Sequence, residues 1–187
     1  MANVNHSTLT DPYLHEPKGI ASAGAGNIYV SDGAGSGTWT KDHSHINGYL
    51  AFDATTPAYT HSVLTGFTPL NPTFNMTNAD GFSGLSSPNA RLRYDDSNTS
   101  TAFLTFSFNY KNSSGADRDL EVAFYKNGTI THAHQIVTAV RNQWRSSTLS
   151  ETLSLSTNDY IEIFVKADSA FNLEVACASL IIHGVPD

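Results

Sequence analysis

The sequence predicts an all-β chain, an antiparallel β-sandwich or jelly roll with an extended N-terminal arm, and three observations support this. Charged residues make up 14% of the chain and hydrophobic residues 40%, so a core is available while the polar surface must come largely from Ser, Thr and Asn. Those side chains compete with helical backbone hydrogen bonds and suit strand faces and turns. Apolar residues also recur at every second position in several stretches, the period of a strand with one buried face. Turn-forming clusters then separate these stretches at roughly the 8–12-residue spacing of a sandwich.

Residues 1–45 differ in texture from the rest. They are rich in Ala, Gly, Ser, Thr and Asn, and their one apolar group, Ile28-Tyr29-Val30, sits between glycine turns. This reads as an attachment arm holding one short strand, with Tyr13, Leu14, His15, Pro17, Ile28, Tyr29, Val30 and Trp39 as its candidate contact residues. Fully extended, such a segment spans at most ~150 Å, enough to cross onto neighbouring subunits.

Residues 46–187 form the predicted knob. Residues 53–90 contain Pro57, Pro69, Pro72 and Pro88 and are expected to hold loops and short edge strands. In TAFLTFSFNY, Ala102, Leu104, Phe106, Phe108 and Tyr110 share a face. DLEVAFYK places Leu120, Val122 and Phe124 together and ends at the hairpin signal Asn127-Gly128. TITHAHQIVTAV and SSTLSETLSLS continue as strands, the latter with Leu149, Leu153 and Leu155 at even-numbered spacings. In YIEIFVKA, Ile161, Ile163 and Val165 point inward, and FNLEVACASLIIHGV closes the domain. Cys177, the single cysteine, excludes an intrachain disulfide and reads as a small buried hydrophobe in that last strand.

On the opposite strand faces stand Phe103, Tyr125, Tyr160 and Phe164, where a solvated surface would be polar. Outward aromatics point to a covered surface, either a contact between subunits or a layer of the chain's own loops.

The net charge of −7 offers no basic stripe for a phosphate backbone, so nucleic acid is not an expected partner. No apolar run approaches the ~18 residues of a membrane span, and the N-terminal residues lack an apolar signal core. A soluble product is expected, without secretion or anchoring, and the N-x-[ST] sequons are not read as glycosylation sites.

No catalytic, cofactor or metal residues are assigned. His43 and His45, and likewise His132 and His134, are i, i+2 pairs that a strand would place on one face, but no supporting ligand sits at a metal-binding spacing. GFSG lacks the strand–turn–helix setting of a hydrolase nucleophile. GAGSG runs into Thr38-Trp39-Thr40 rather than a phosphate-loop lysine and helix. Asp95-Asp96 and Asn78-Ala79-Asp80-Gly81 are turn formers unlike a twelve-residue calcium loop.

The stretch RLRYDDSNTSTAFLTFSFNYKNSSGADRDLEVAFYKNGTI, followed by LSLSTNDYIEIFVKA, resembles the TNF/C1q-like jelly rolls of phage virion proteins. The match lies in the order of a Tyr-bearing strand, a long alternating strand, an F-x-KNG turn and a polar strand beginning NDYIEIFV, and it covers roughly residues 80–185. The arm, DPYLHEPKGIASAGAGNIYVSDGAGSGTW, is similar to N-terminal segments by which phage structural proteins attach to a head or tail. The resemblance implies a homotrimer with aromatic and aliphatic side chains meeting at a threefold axis, for which Phe103, Tyr125, Tyr160 and Phe164 are the candidates.

Arm and knob together suggest a non-enzymatic capsid decoration, or cement, protein without cofactors. It would be made in the host cytoplasm, sit on the outer surface of the virion's capsid and bind itself and the major capsid protein. The alternative is a tail-fibre or receptor-binding module for a host glycan or protein, with Tyr49, Tyr59 and Trp144 available to stack on sugars.

Overall fold

Alternation of large apolar and small polar side chains produces long strands here, because each strand can bury one face and leave the other outside. The computed structural model describes residues 27–31, 37–41, 46–53, 58–85 and 91–186, and among them no helix occurs. The chain divides into two compact units, Met1–Ser44 and His45–Asp187.

In the first unit β1 (Asn27–Ser31) pairs antiparallel with β2 (Gly37–Lys41). Tyr29 lies opposite Trp39 with ring centroids 5.3 Å apart in an edge-to-face contact, while Ile28 and Val30 remain exposed. Gly37 is required by close approach, since a Cβ there would lie 2.3 Å from the Val30 carbonyl oxygen. The group Ile28-Tyr29-Val30 is thus one half of a hairpin whose other strand contains Trp39.

The second unit is an antiparallel sandwich of two sheets, the jelly roll the sequence predicts. It contains β3 (Ile46–Asp53), β4 (Tyr59–Val63), β5 (Thr68–Pro69), β6 (Asn75–Asp80), β7 (Phe82–Leu85), β8 (Arg91–Tyr94) and β9 (Ser100–Asn112). These are followed by β10 (Arg118–Lys126), β11 (Thr129–Ala139), β12 (Arg145–Leu155), β13 (Tyr160–Ala167) and β14 (Phe171–Pro186). One sheet has the order β12-β9-β14-β3-β6, with β4 also pairing β14. The other has the order β11-β10-β13-β8-β7, with β5 also pairing β13. From β8 onward the chain crosses between sheets at every connection except β10–β11. There Asn127 (φ 54°) and Gly128 (φ 75°) supply the two positive φ values that a tight hairpin turn needs. The short strands expected in residues 53–90 are β4 to β7, of which β6 and β7 are sheet edges.

The core lies between the sheets. Leu104, Phe106, Leu120, Phe124, Ile161, Val165, Leu173 and Ile182 are completely buried. Burying each such side chain contributes about 1.5–3 kcal/mol. Along β9, Phe106, Phe108 and Tyr110 stack successively at 5.1 and 4.6 Å.

Cys177 departs from expectation. The pairing of β14 with β9 shifts register between Val175 and Cys177, so Ala176 is an extra residue on β14. Leu173 and Val175 point inward before this bulge, and Ala178, Leu180 and Ile182 point inward after it. One inserted residue reverses the alternation and leaves Cys177 half-buried on the outer face.

Candidate functional site

The sandwich presents two outer faces of very different chemistry. On the first sheet, β12 points Ser146, Thr148, Ser150, Thr152 and Ser154 outward. Beside them β9 presents Thr101, Phe103, Thr105, Ser107 and Asn109. β14 presents Cys177, Ser179, Ile181, His183 and Val185, and β3 presents Asn47, Tyr49, Ala51 and Asp53. Beyond the Lys111–Glu174 ion pair at one end (2.8 Å), these four strands place no Lys, Arg or Glu on this face, and Asp53 lies at its margin. Its hydroxyls bond across strands, Thr105 Oγ1 with Ser150 Oγ at 3.3 Å and Ser107 Oγ with Thr148 Oγ1 at 2.9 Å. Hydroxyls already paired lose little on leaving water. Phe103 (50% exposed) and Val185 (45%) add apolar surface, alongside the half-buried Tyr49 and Ile181. A shallow depression of about 370 Å³ lies between Tyr49, Ala51, Asp53, Ser107, Asn109, Cys177 and Ser179.

The second sheet carries charge on its outer face, and the charges are paired. Arg91 Nε bonds Glu162 Oε1 at 2.7 Å, although Glu162 is only 2% exposed and its other oxygen has no partner. Glu121 accepts from Lys166 at 2.9 Å and from His134 Nδ1 at 2.7 Å. Burial alone would raise the Glu121 carboxyl, but these hydrogen bonds outweigh it and hold its pKa below the ordinary value.

Aromatic rings on this face are covered by the chain itself. Tyr125 stacks on Phe164 at 3.9 Å, and Phe67 meets Tyr125 edge-on at 5.6 Å. Lys166 Nζ lies 4.5 Å from the centre of the Phe67 ring, and the Arg91 guanidinium 4.4 Å from that of Tyr160. The segment that brings Phe67 here is tied to β13 through Ala167 N donating to Leu64 O (2.9 Å) and Leu70 N donating to Ile163 O (2.8 Å).

The four aromatics singled out from the sequence therefore divide. Phe103 stands on the uncharged face, while Tyr125, Tyr160 and Phe164 stand on the charged one. The two groups look in opposite directions, so one contact surface does not contain all four. Ile181 and Val185, with the hydroxyl rows around them, were missed, and Tyr49, singled out as a sugar-stacking residue, stands among them. Their signal was the Ser/Thr alternation in SSTLSETLSLS, which acquires meaning only once β12, β9, β14 and β3 are placed side by side.

His132 and His134 also diverge. His134 bonds Glu121 on β10, whereas Glu151 on β12 accepts from the backbone N of His132 (3.1 Å) and from the Thr131 hydroxyl. Among the described residues no group of three His, Cys, Asp or Glu is arranged to hold a metal ion. His43, His45, Tyr13, Leu14, His15 and Pro17 lie outside the described residues.

The strand order defines the second unit as an antiparallel jelly roll. No protein-family model matches the sequence, and no curated protein matches it. Among solved structures the chain is similar to Eiger TNF from S. frugiperda, with a TM-score of 0.51 and 8% identity over 76% of this chain and 92% of that one. It is also similar to the PRD1 vertex protein P5, with a TM-score of 0.48 and 10% identity over 78% and 99% of the two chains. For the globular domain of zebrafish complement 1qA the TM-score is 0.41, with 11% identity over 76% and 97%. At 8% identity the likeness to Eiger TNF is one of fold alone. A fold by itself selects no function.

Proposed function

We propose that this chain is a bacteriophage virion structural protein, a capsid decoration protein that acts as a homotrimer on the outer surface of the head. Its partners are other copies of itself and the major capsid protein, and its role is not catalytic. The observation that carries the reading is the uncharged outer face of β12, β9, β14 and β3. A face exposed for its own sake would gain solubility from Lys and Glu. This one combines paired hydroxyls with Phe103, Tyr49, Ile181 and Val185, a composition that a second subunit can cover without burying unpaired charge. The resemblance to TNF/C1q-like phage proteins supports threefold assembly.

Three N-terminal arms on one trimer would multiply avidity for a lattice well beyond that of a single arm. The carboxylates that might suggest chemistry have structural partners: Glu162 holds Arg91, Glu121 holds Lys166 and His134, and Glu151 holds β11.

Quantitative mass spectrometry of purified virions tests the reading. A copy number comparable to that of the major capsid protein is expected. A complement fitting a single tail or vertex would overturn lattice decoration in favour of a receptor-binding appendage. Removal of residues 1–45 is expected to leave a folded knob that no longer binds particles, and retained binding would remove the arm from the mechanism.

A further inference from the structure

Residues 58–74 contain no Lys, Arg, Asp or Glu, and His61 is the one side chain there that can change charge near neutral pH. The same stretch joins the two sheets. β4 pairs with β14 in the first sheet, and β5 pairs with β13 in the second. Between them Ala167 N donates to Leu64 O at 2.9 Å, and just beyond β5 Leu70 N donates to Ile163 O at 2.8 Å. Val63 and Leu70 are completely buried, while Phe67 reaches Tyr125 on the outer face of the second sheet.

The half-buried His61 ties β4 to β5. Its Nε2 lies 3.2 Å from Thr68 Oγ1, and its Nδ1 lies 3.2 Å from the Tyr59 hydroxyl. The Thr68 hydroxyl donates to Val165 O at 3.4 Å, so it accepts from the ring's Nε2–H. Nδ1 then carries no proton and accepts from Tyr59 O–H, the arrangement of a neutral imidazole. The Tyr59 oxygen accepts in turn from the Asn71 backbone N–H, and its ring packs edge-on against Phe52 at 6.0 Å. One relay therefore runs from Asn71 through Tyr59, His61 and Thr68 to β13. The charged groups of the neighbouring strands are engaged elsewhere. On β14 His61 lies opposite the buried Leu173, and Glu174 beside it is bound to Lys111. On β13 Lys166 is bound to Glu121. Asp168 beyond β13 and Asp53 at the end of β3 are exposed.

We propose that His61 is an acid-sensitive latch: its neutral ring fastens residues 59–70 across the two sheets, and a second ring proton loosens that segment, uncovering Val63, Leu70 and the Tyr125–Phe164 stack. A proton on Nδ1 replaces the acceptor of Tyr59 O–H with a donor, so the relay no longer closes. It also creates a positive charge with no carboxylate beside it, and an unpaired charge is costly to bury. Burial alone holds the His61 pKa below its ordinary value. The latch is therefore fully closed above the ordinary histidine range. Its contribution is lost as pH falls below that range and through the lowered folded-state value. Glu121 and Asp159 are held below the ordinary carboxylate values, so their ion pairs survive to lower pH and the two acid responses separate. The latch lies within one chain and does not depend on how the chain assembles.

Hydrogen exchange of the full chain, read by mass spectrometry and corrected for the intrinsic pH dependence of exchange, tests the latch. Between about pH 7.5 and about pH 5.5, peptides covering residues 59–70 are expected to exchange about threefold faster or more, with β9 unchanged. His61→Gln, which keeps a donor for Thr68 but cannot titrate, should remove that pH dependence, whereas His134→Gln should keep it. Where His61→Gln alters the fold, an NMR titration of the histidine rings of the wild type decides. The His61 ring is expected to titrate below the ordinary histidine value, and Tyr59→Phe, which removes the hydroxyl donor to Nδ1, should move it upward. Equal protection of residues 59–70 at the two pH values would overturn the latch. So would an undiminished pH response in a folded His61→Gln, or a His61 ring that titrates at its ordinary value.

Discussion

The two outer faces of one sandwich solve the same problem in opposite ways. On the β11-β10-β13-β8-β7 sheet, ion pairs and aromatic contacts cover part of the surface from within the chain: Arg91 on Glu162, Lys166 and His134 on Glu121, Tyr125 on Phe164 and Phe67 on Tyr125. On the β12-β9-β14-β3 face the described residues supply no such cover beyond the Lys111–Glu174 pair, and two pairs of hydroxyls bond across strands among a few apolar side chains. The first face is neutralised and partly covered within the chain, although Ile130 and Ile136 on β11 remain exposed. The second is inexpensive to desolvate, because it holds few charges whose hydration must be stripped. Aromatic content alone did not separate the two, since each face carries outward rings; the distribution of charge does.

The comparison can be broken most forcibly at Glu162. Arg91→Ala leaves a carboxylate that is 2% exposed without its partner and should destabilise the knob by about 3 kcal/mol or more, read from the urea midpoint. A change within a few tenths of a kcal/mol would mean that water reaches Glu162 and that the pair adds little to this face. Tyr125→Ala removes the stack on Phe164 and the edge contact with Phe67. Because the ring is half-buried, a loss of about 1–2 kcal/mol is expected, with unchanged association.

Acid sharpens the same contrast. Glu121 and Asp159 are held below their ordinary pKa values. In both, burial pushes upward and is outweighed, at Asp159 by hydrogen bonds from Lys126, Ser156 N and Asn127. Their stabilisation is therefore complete above the ordinary carboxylate range and is lost as pH falls through the lowered folded-state values. Urea midpoints should fall on acidification from neutrality, and Glu121→Gln should fall less steeply than wild type. An identical acid response in the two proteins would show that Glu121 is not a source of it. The smallest effect is expected on the uncharged face, where Ser150→Ala should alter monomer stability by less than about 0.5 kcal/mol.

Much of the fold was legible because burial imposes a strict alternation. Leu104, Phe106, Leu120, Phe124, Ile161 and Val165 are inside, as their period demands, and Asn127-Gly128 turns the chain where expected. Alternation fails where one residue is inserted, which is why Cys177 emerged on the outer side of a bulge that no local pattern announces. The candidate surface was less legible, for a different reason. Which side of a strand faces outward follows from its own sequence, but which outward residues become neighbours depends on strand order. Phe103 lies beside His183 and Thr152, and Tyr125 opposite Glu162, through pairings between segments far apart in the chain.

The central claim is that copies of this chain meet through the uncharged face, and sedimentation analysis of wild type beside Ile181→Arg tests it most directly. Ile181 lies between Thr105 and Tyr49 on that face, where an arginine can extend into water in the monomer but not within a closed interface. The account predicts a wild-type mass about three times the 20.2 kDa of the chain, and a folded monomer for the variant. A wild-type monomer, or a variant that keeps the wild-type mass, would contradict it.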